Sequence, residues 1–133
     1  MALTAAVSAA QDMRQLAPMP AAAQANLRDE MLANLRALNE ILSLVAQGQY
    51  KEAGALAEES LGVSAMGKNR DQPLDARPGA HMPPAMHGLG MEGHKSATEF
   101  ARIAASGDRD KTIAALPLLS GACVACHHSF RVR

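Results

Sequence analysis

Aromatic side chains are almost missing from this sequence: no tryptophan, one tyrosine and two phenylalanines, 2% of 133 residues. A chain of that length builds one domain with a single core, and aromatic rings normally fill much of it. Alanine, leucine and eight methionines take their place here, all of them good helix formers. An excess of charge of one sign is also lacking. Thirteen Lys and Arg balance thirteen Asp and Glu, so the chain carries no electrostatic footprint for nucleic acid or an anionic membrane. No apolar run approaches the length of a bilayer span. Nothing forms a nucleophile–base pair or a paired-carboxylate site, so the sequence does not read as an enzyme.

There are only two cysteines, and both fall in Cys123-Val124-Ala125-Cys126-His127. A Cys-x-x-Cys-His run reads as covalent haem attachment: each thiol can form a thioether with one haem vinyl group while the imidazole reaches the iron. On a helix these residues stand at i, i+3 and i+4 and share a face. A redox Cys-x-x-Cys pair would sit at the start of a helix after a strand, whereas this one closes a helical segment. A zinc site would want four ligands, and only the scattered His81, His87 and His94 are on hand to complete one. Covalent haem fits the context best, and a large ring would also supply the missing core volume.

Along the chain, the Ala-rich opening up to Ala10 looks like the end of a secretory signal without its basic start. It reads equally as an alanine-rich mature N-terminus. Residues 1–21, interrupted by Pro18 and Pro20, suit a helical arm ahead of a domain over 22–133. Helix A is expected over 22–47, with Leu27, Met31, Leu35, Leu38, Leu42 and Val45 as its inner stripe and Gly48 as its stop. Helix B carries Ala53, Leu56, Ala57 and Leu61 inward and ends at Gly62. A crossover loop fills 62–82. Helix C opens at Pro83-Pro84 and points Met86, Leu89, Gly90, Gly93, Ala97, Phe100, Ala101 and Ala104 inward, the small residues suggesting close approach by a helix or a flat ring. After Gly107, Asp108 or Asp110 caps helix D, whose inner face would be Ile113, Leu116, Ser120, Cys123, His127 and Phe130, with a bend or late start at Pro117. Short A–B and C–D turns around one long loop describe an all-α protein, an antiparallel four-helix bundle with an extra N-terminal helical arm.

A four-helix chain with Cys-x-x-Cys-His near its C-terminus resembles the cytochrome c′ family and its low-spin c-556 relatives. The likeness covers roughly 22–133 and is most specific in Gly107-Asp108-Arg109-Asp110-Lys111 and in Cys123-x-x-Cys126-His127-x-x-Phe130-Arg131. It implies one covalent haem c on Cys123 and Cys126, His127 as the proximal iron ligand, and Arg131 near the haem one helical turn on. His128, His81, His87 and His94 are expected at the surface or in loops. Family members divide by what helix A presents to the iron's other side. Met31 there closes the site with a thioether and suits electron transfer with a redox partner protein. If Arg28 instead takes the family's early helix A arginine, Leu32 follows one turn later and leaves iron open to a diatomic gas, NO or CO. The inner stripe favours Met31, while Met86, Met91, Met66 and Met82 lack the family precedent. The resemblance further implies export to a bacterial periplasm and a homodimer through helices A and B.

Overall fold

The computed structural model describes residues 10–133, so the expected leader remnant lies almost wholly outside the described residues. In chain order the elements are strand β1 (Gln15–Leu16), helices α1 (Ala21–Ala46), α2 (Tyr50–Leu61), α3 (Pro84–Ala104), α4 (Arg109–Ala115) and α5 (Pro117–Ser129), and strand β2 (Phe130–Arg131). The protein is therefore predominantly helical, in line with the all-α expectation.

The breakers act where their chemistry requires. Gly48 and Gly107 adopt φ of 76° and 74°, left-handed values open to glycine, and turn the chain after α1 and α3. Pro84 occupies the first turn of α3, where no backbone donor is needed. The Asp108 carboxylate caps α4 by accepting the Lys111 N–H at 2.9 Å. Pro117 then divides the expected helix D: Leu116 keeps helical torsions, but α4 stops at Ala115 and α5 begins on the proline. The connection between α2 and α3 is not structureless, since 3-10 turns occupy Val63–Ala65, Leu74–Ala76 and Pro78–His81.

Packing runs from α1 to α2, from α2 to α3 and from α3 to α5, whereas α1 and α5 scarcely touch. One core joins Ile41 and Val45 to Ala53, Ala57, Ala97, Phe100, Ala104, Ala115 and Leu119. Its alanines let α2 and α3 approach closely. A Cβ on Gly54 would stand 3.0 Å from both the Ala101 carbonyl oxygen and the Ala104 Cβ. A second cluster of Ala17, Met19, Ala23, Leu27, Met86 and Phe130 lies where the start of α1, the start of α3 and the end of α5 meet.

Three expectations are corrected. The described part of the arm, residues 10–20, is extended rather than helical: Pro18 and Pro20 deny it helical donors, and β1 pairs in parallel with β2, Gln15 opposite Phe130. The Ala17 N–H donates to the Arg131 carbonyl at 2.7 Å, tying the arm to the chain's end. For the same reason Phe130 and Arg131 are not helical; burying the Phe130 ring in the second cluster ends α5 at Ser129.

The third correction concerns which faces are covered. On α4 and α5 the buried residues are Thr112, Ala115 and Leu119, with Ala122 and Cys126 half-buried. The stripe expected to face inward holds exposed Ile113, Cys123 and His127 and lies about 90° around the helix, at 100° per residue. On α1 the covered face is Ala23, Leu27, Ala37, Ile41 and Val45, while Met31, Leu35 and Leu42 are 38%, 63% and 45% exposed. Small residues made the close contacts, and the large apolar side chains beside them were left uncovered. Taken together, Arg109–Ser129 is also long and apolar enough by length and composition to cross a membrane, against the expectation that no apolar run approaches that length.

Candidate functional site

α5 presents Cys123, Cys126 and His127 within its last turns, at the i, i+3 and i+4 spacing of one helical face. Cys123 is exposed and Cys126 half-buried, and both thiols are free. The Cys123 sulfur sits 3.8 Å from the Leu119 carbonyl oxygen, one turn back. Cys126 packs against the second cluster. Burial, and secondarily the neighbouring Cys123, pushes the Cys126 thiol up. The negative end of the helix dipole disfavours a thiolate here too. A dithiol redox pair needs the reverse environment, with at least one thiol pulled down.

His127 and His128 are both exposed. They differ in direction, since His127 shares the flank of Cys123 and Leu116 and His128 is turned away by one residue, about 100°. The arm reaches the same region: Arg14 donates to the His127 carbonyl oxygen at 3.4 Å and pairs with Asp12 at 2.7 Å. Hydrogen bonds from Arg14 hold the Asp12 carboxyl at about 2, well below the usual range.

Arg131 is brought to the arm instead of continuing α5. Its Nε is buried without a hydrogen-bond partner and lies 3.8 Å from the Asp12 carboxylate. Arg28 is exposed on α1. Met31 lines a cleft of about 610 Å³ between α1, α3 and the α2–α3 connection, and the walls of that cleft include none of Cys123, Cys126 and His127. Leu32 is 48% exposed and lies outside the same cleft. The expected site residues thus fall into four places: the α5 motif, the cleft with Met31, the arm with Arg131, and the exposed side of α1 with Arg28.

Two of the histidines expected in loops or at the surface also make hydrogen bonds to the backbone. His81 donates from Nε2 to the Leu74 carbonyl at 3.0 Å. His94 donates from Nδ1 to the Leu61 carbonyl at 2.8 Å, with the Gly62 carbonyl at 3.1 Å. Its period with His87 and Met91, at i, i+4 and i+7, was readable in the sequence and went unused. Among the described residues no three His, Cys, Asp or Glu side chains converge on a point that a metal ion could occupy. The scattered histidines therefore do not join Cys123 and Cys126 in a zinc-type set.

The Cys123 and His127 flank of α5 is uncovered, the Met31 and Leu35 flank of α1 is uncovered as well, and the two helices scarcely touch. Comparison with protein-family models, curated proteins and solved structures finds nothing that matches this chain.

Proposed function

We propose that this protein is a c-type cytochrome carrying one haem, bound through thioethers at Cys123 and Cys126 with His127 as proximal iron ligand, and that it transfers electrons. The observation that carries the reading is the exposed apolar flank of α5: soluble chains rarely leave such a surface bare without a partner, and here it bears the attachment motif. The helices α1, α2, α3 and α4–α5 are then an antiparallel four-helix bundle whose α1–α5 seam a haem completes. Haem bound there supplies an iron couple whose potential follows from its axial ligands and its burial.

The chain's own residues do the rest. Cys123 and Cys126 anchor the ring, and His127 offers its imidazole from the same face. The strap of β1 on β2 holds the end of α5 in place, so the ligand's helix is fixed at both ends. Met31, on the exposed side of α1, is the sulfur offered to the opposite face, with Arg28 one turn before it. Arg131 would act only as a positioning residue, held beside Asp12 on the arm.

A second reading, a five-coordinate cytochrome c′-like protein that binds NO or CO, draws on one observation: Met31 lines a cleft that excludes His127. We place the protein in a bacterial periplasm, where thiols are attached to haem, with a redox protein as partner and with pairing through α1 and α2 as in the resembling family. A non-enzymatic role and no membrane span complete the proposal, the latter because α5 packs along α3.

Visible spectra of the oxidised and reduced protein test it. His127→Ala is expected to change the iron's ligation while His128→Ala leaves the spectrum as it was; the opposite pattern refutes the assignment. A low-spin oxidised protein that reacts slowly with CO, and quickly after Met31→Ala, supports electron transfer. A high-spin wild type that binds CO at once supports the gas-binding reading.

A further inference from the structure

The cleft beside Met31 collects side chains that the haem reading does not use. Met66 and Met82 enter it from the α2–α3 connection, and His87, Met91 and His94 from α3. The last three stand at i, i+4 and i+7 and so stack on one face of the helix, each within reach of the next. Counting Met31, four of the chain's eight methionines line this one cavity. Methionine that only fills a core is buried, yet Met66, Met82 and Met91 are half-buried and open to a cleft.

His94 provides the independent sign of a ligand. A carbonyl can only accept, so two carbonyl oxygens at Nδ1 require the proton there, and in the neutral ring the lone pair is then on Nε2. Metal-binding histidines are oriented in this way, by a backbone acceptor on the ring nitrogen that does not ligate.

We infer that this cleft is a binding site for monovalent copper, held by the Met91 and Met82 or Met66 thioethers together with the His94 or His87 imidazole. Neutral thioethers are soft donors that select Cu(I) over zinc, calcium or magnesium. The only carboxylate in the walls, Glu30, accepts a hydrogen bond from the Asn69 amide. Three cationic residues, Lys68, Arg70 and Arg77, share the walls and repel a divalent ion twice as strongly as a monovalent one. Each of them donates to a backbone carbonyl. Met31 closes the α1 side and is not required, so the site stands whether or not that sulfur belongs to iron.

The test is an anaerobic titration of the full chain with Cu(I) against a coloured Cu(I) chelator, after alkylation of any free thiol so that Cys123 and Cys126 do not contribute. One equivalent is expected to leave the chelator, and Met91→Leu and His94→Gln should each weaken uptake roughly 10-fold or more. Met86→Leu, in the second cluster, should not. Copper X-ray absorption on the wild type, which depends on no variant folding, should show sulfur together with imidazole nitrogen. No uptake by the wild type, uptake indifferent to both Met91→Leu and His94→Gln, or a copper shell without sulfur overturns the site. The haem spectrum is followed in parallel, so a loss of haem and a loss of copper are read separately.

Discussion

Three glycines in the middle of helices should respond in three ways to the same added methyl group. Replacing a helix-interior glycine with alanine gains about 1 kcal/mol of helix propensity, and the space at each site decides what opposes it. At Gly54 in α2, the new Cβ meets the Ala101 carbonyl oxygen and the Ala104 Cβ of α3 at 3.0 Å. Neither atom can rotate away, so α2 and α3 must separate. Overpacking of that kind costs about 1–3 kcal/mol, leaving Gly54→Ala destabilised by about 1 kcal/mol net. Gly88 has nothing within 4 Å, so Gly88→Ala should keep most of its gain. Gly93 is intermediate, its Cβ 3.3 Å from the Ala122 Cβ on α5, directly before Cys123. There the gain and the strain nearly cancel, but α5 has to yield by a few tenths of an ångström beside Cys123. Thermal unfolding followed by circular dichroism reads the stabilities, at roughly 3 °C per kcal/mol for a domain of this size. Gly93→Ala should show little change in stability and a shifted haem spectrum. A Gly54→Ala protein more stable than wild type would refute the packing of α2 on α3 described above.

Phe130→Ala removes a ring that is 8% exposed and joins the arm to α1 and α3; a loss of about 3–5 kcal/mol is expected in urea unfolding, and a loss under 1 kcal/mol would show that the arm does not hold the end of α5. Glu30 has its carboxyl pushed up by burial, partly offset by Lys68 and His94. Its folded value exceeds the usual 4.5, so the stability it contributes is present below that pH and lost as pH rises through the folded value. Glu30→Gln should therefore unfold at a higher temperature than wild type at pH 7, with the difference vanishing below pH 4.5; an unchanged difference at both pH values would contradict the assignment. Glu58 behaves in the opposite sense, its carboxyl held low by hydrogen bonds from Ser64 and then Thr98. Thr98→Val should thus cost stability near neutrality and progressively less as pH falls below 4.5.

Helix existence and ends were legible because single residues dictate them: Gly48, Gly107 and Pro84 act through backbone torsion or a missing donor, and Asp108 through one hydrogen bond. Helix faces were less legible. Periodicity ranks residues by hydrophobicity, so it chose Met31, Leu35 and Leu42 over Ala37 and Ile41. In a core built on alanine the closest contacts go to small side chains, and the large ones are displaced to the flank. The same rule hid Gly54, which reads as a propensity fault in isolation and is a point of close approach between α2 and α3. Phe130 and Arg131 were misread because a partner strand more than a hundred residues earlier in the chain outcompetes one further helical turn. The motif itself needed no structure to be noticed, whereas the cleft brings together residues 31, 66, 82 and 91, whose proximity no local pattern encodes.

Mass spectrometry of the intact, denatured protein, expressed with haem-attachment machinery and washed in acidified organic solvent, tests the central claim most directly. The expected mass is that of the polypeptide plus one haem, with the increment mapped by proteolysis to the peptide holding Cys123 and Cys126 and absent from the Cys123→Ala, Cys126→Ala double variant. A wild-type chain at its bare mass with two alkylatable thiols, from cells that load a control c-type cytochrome, would contradict it.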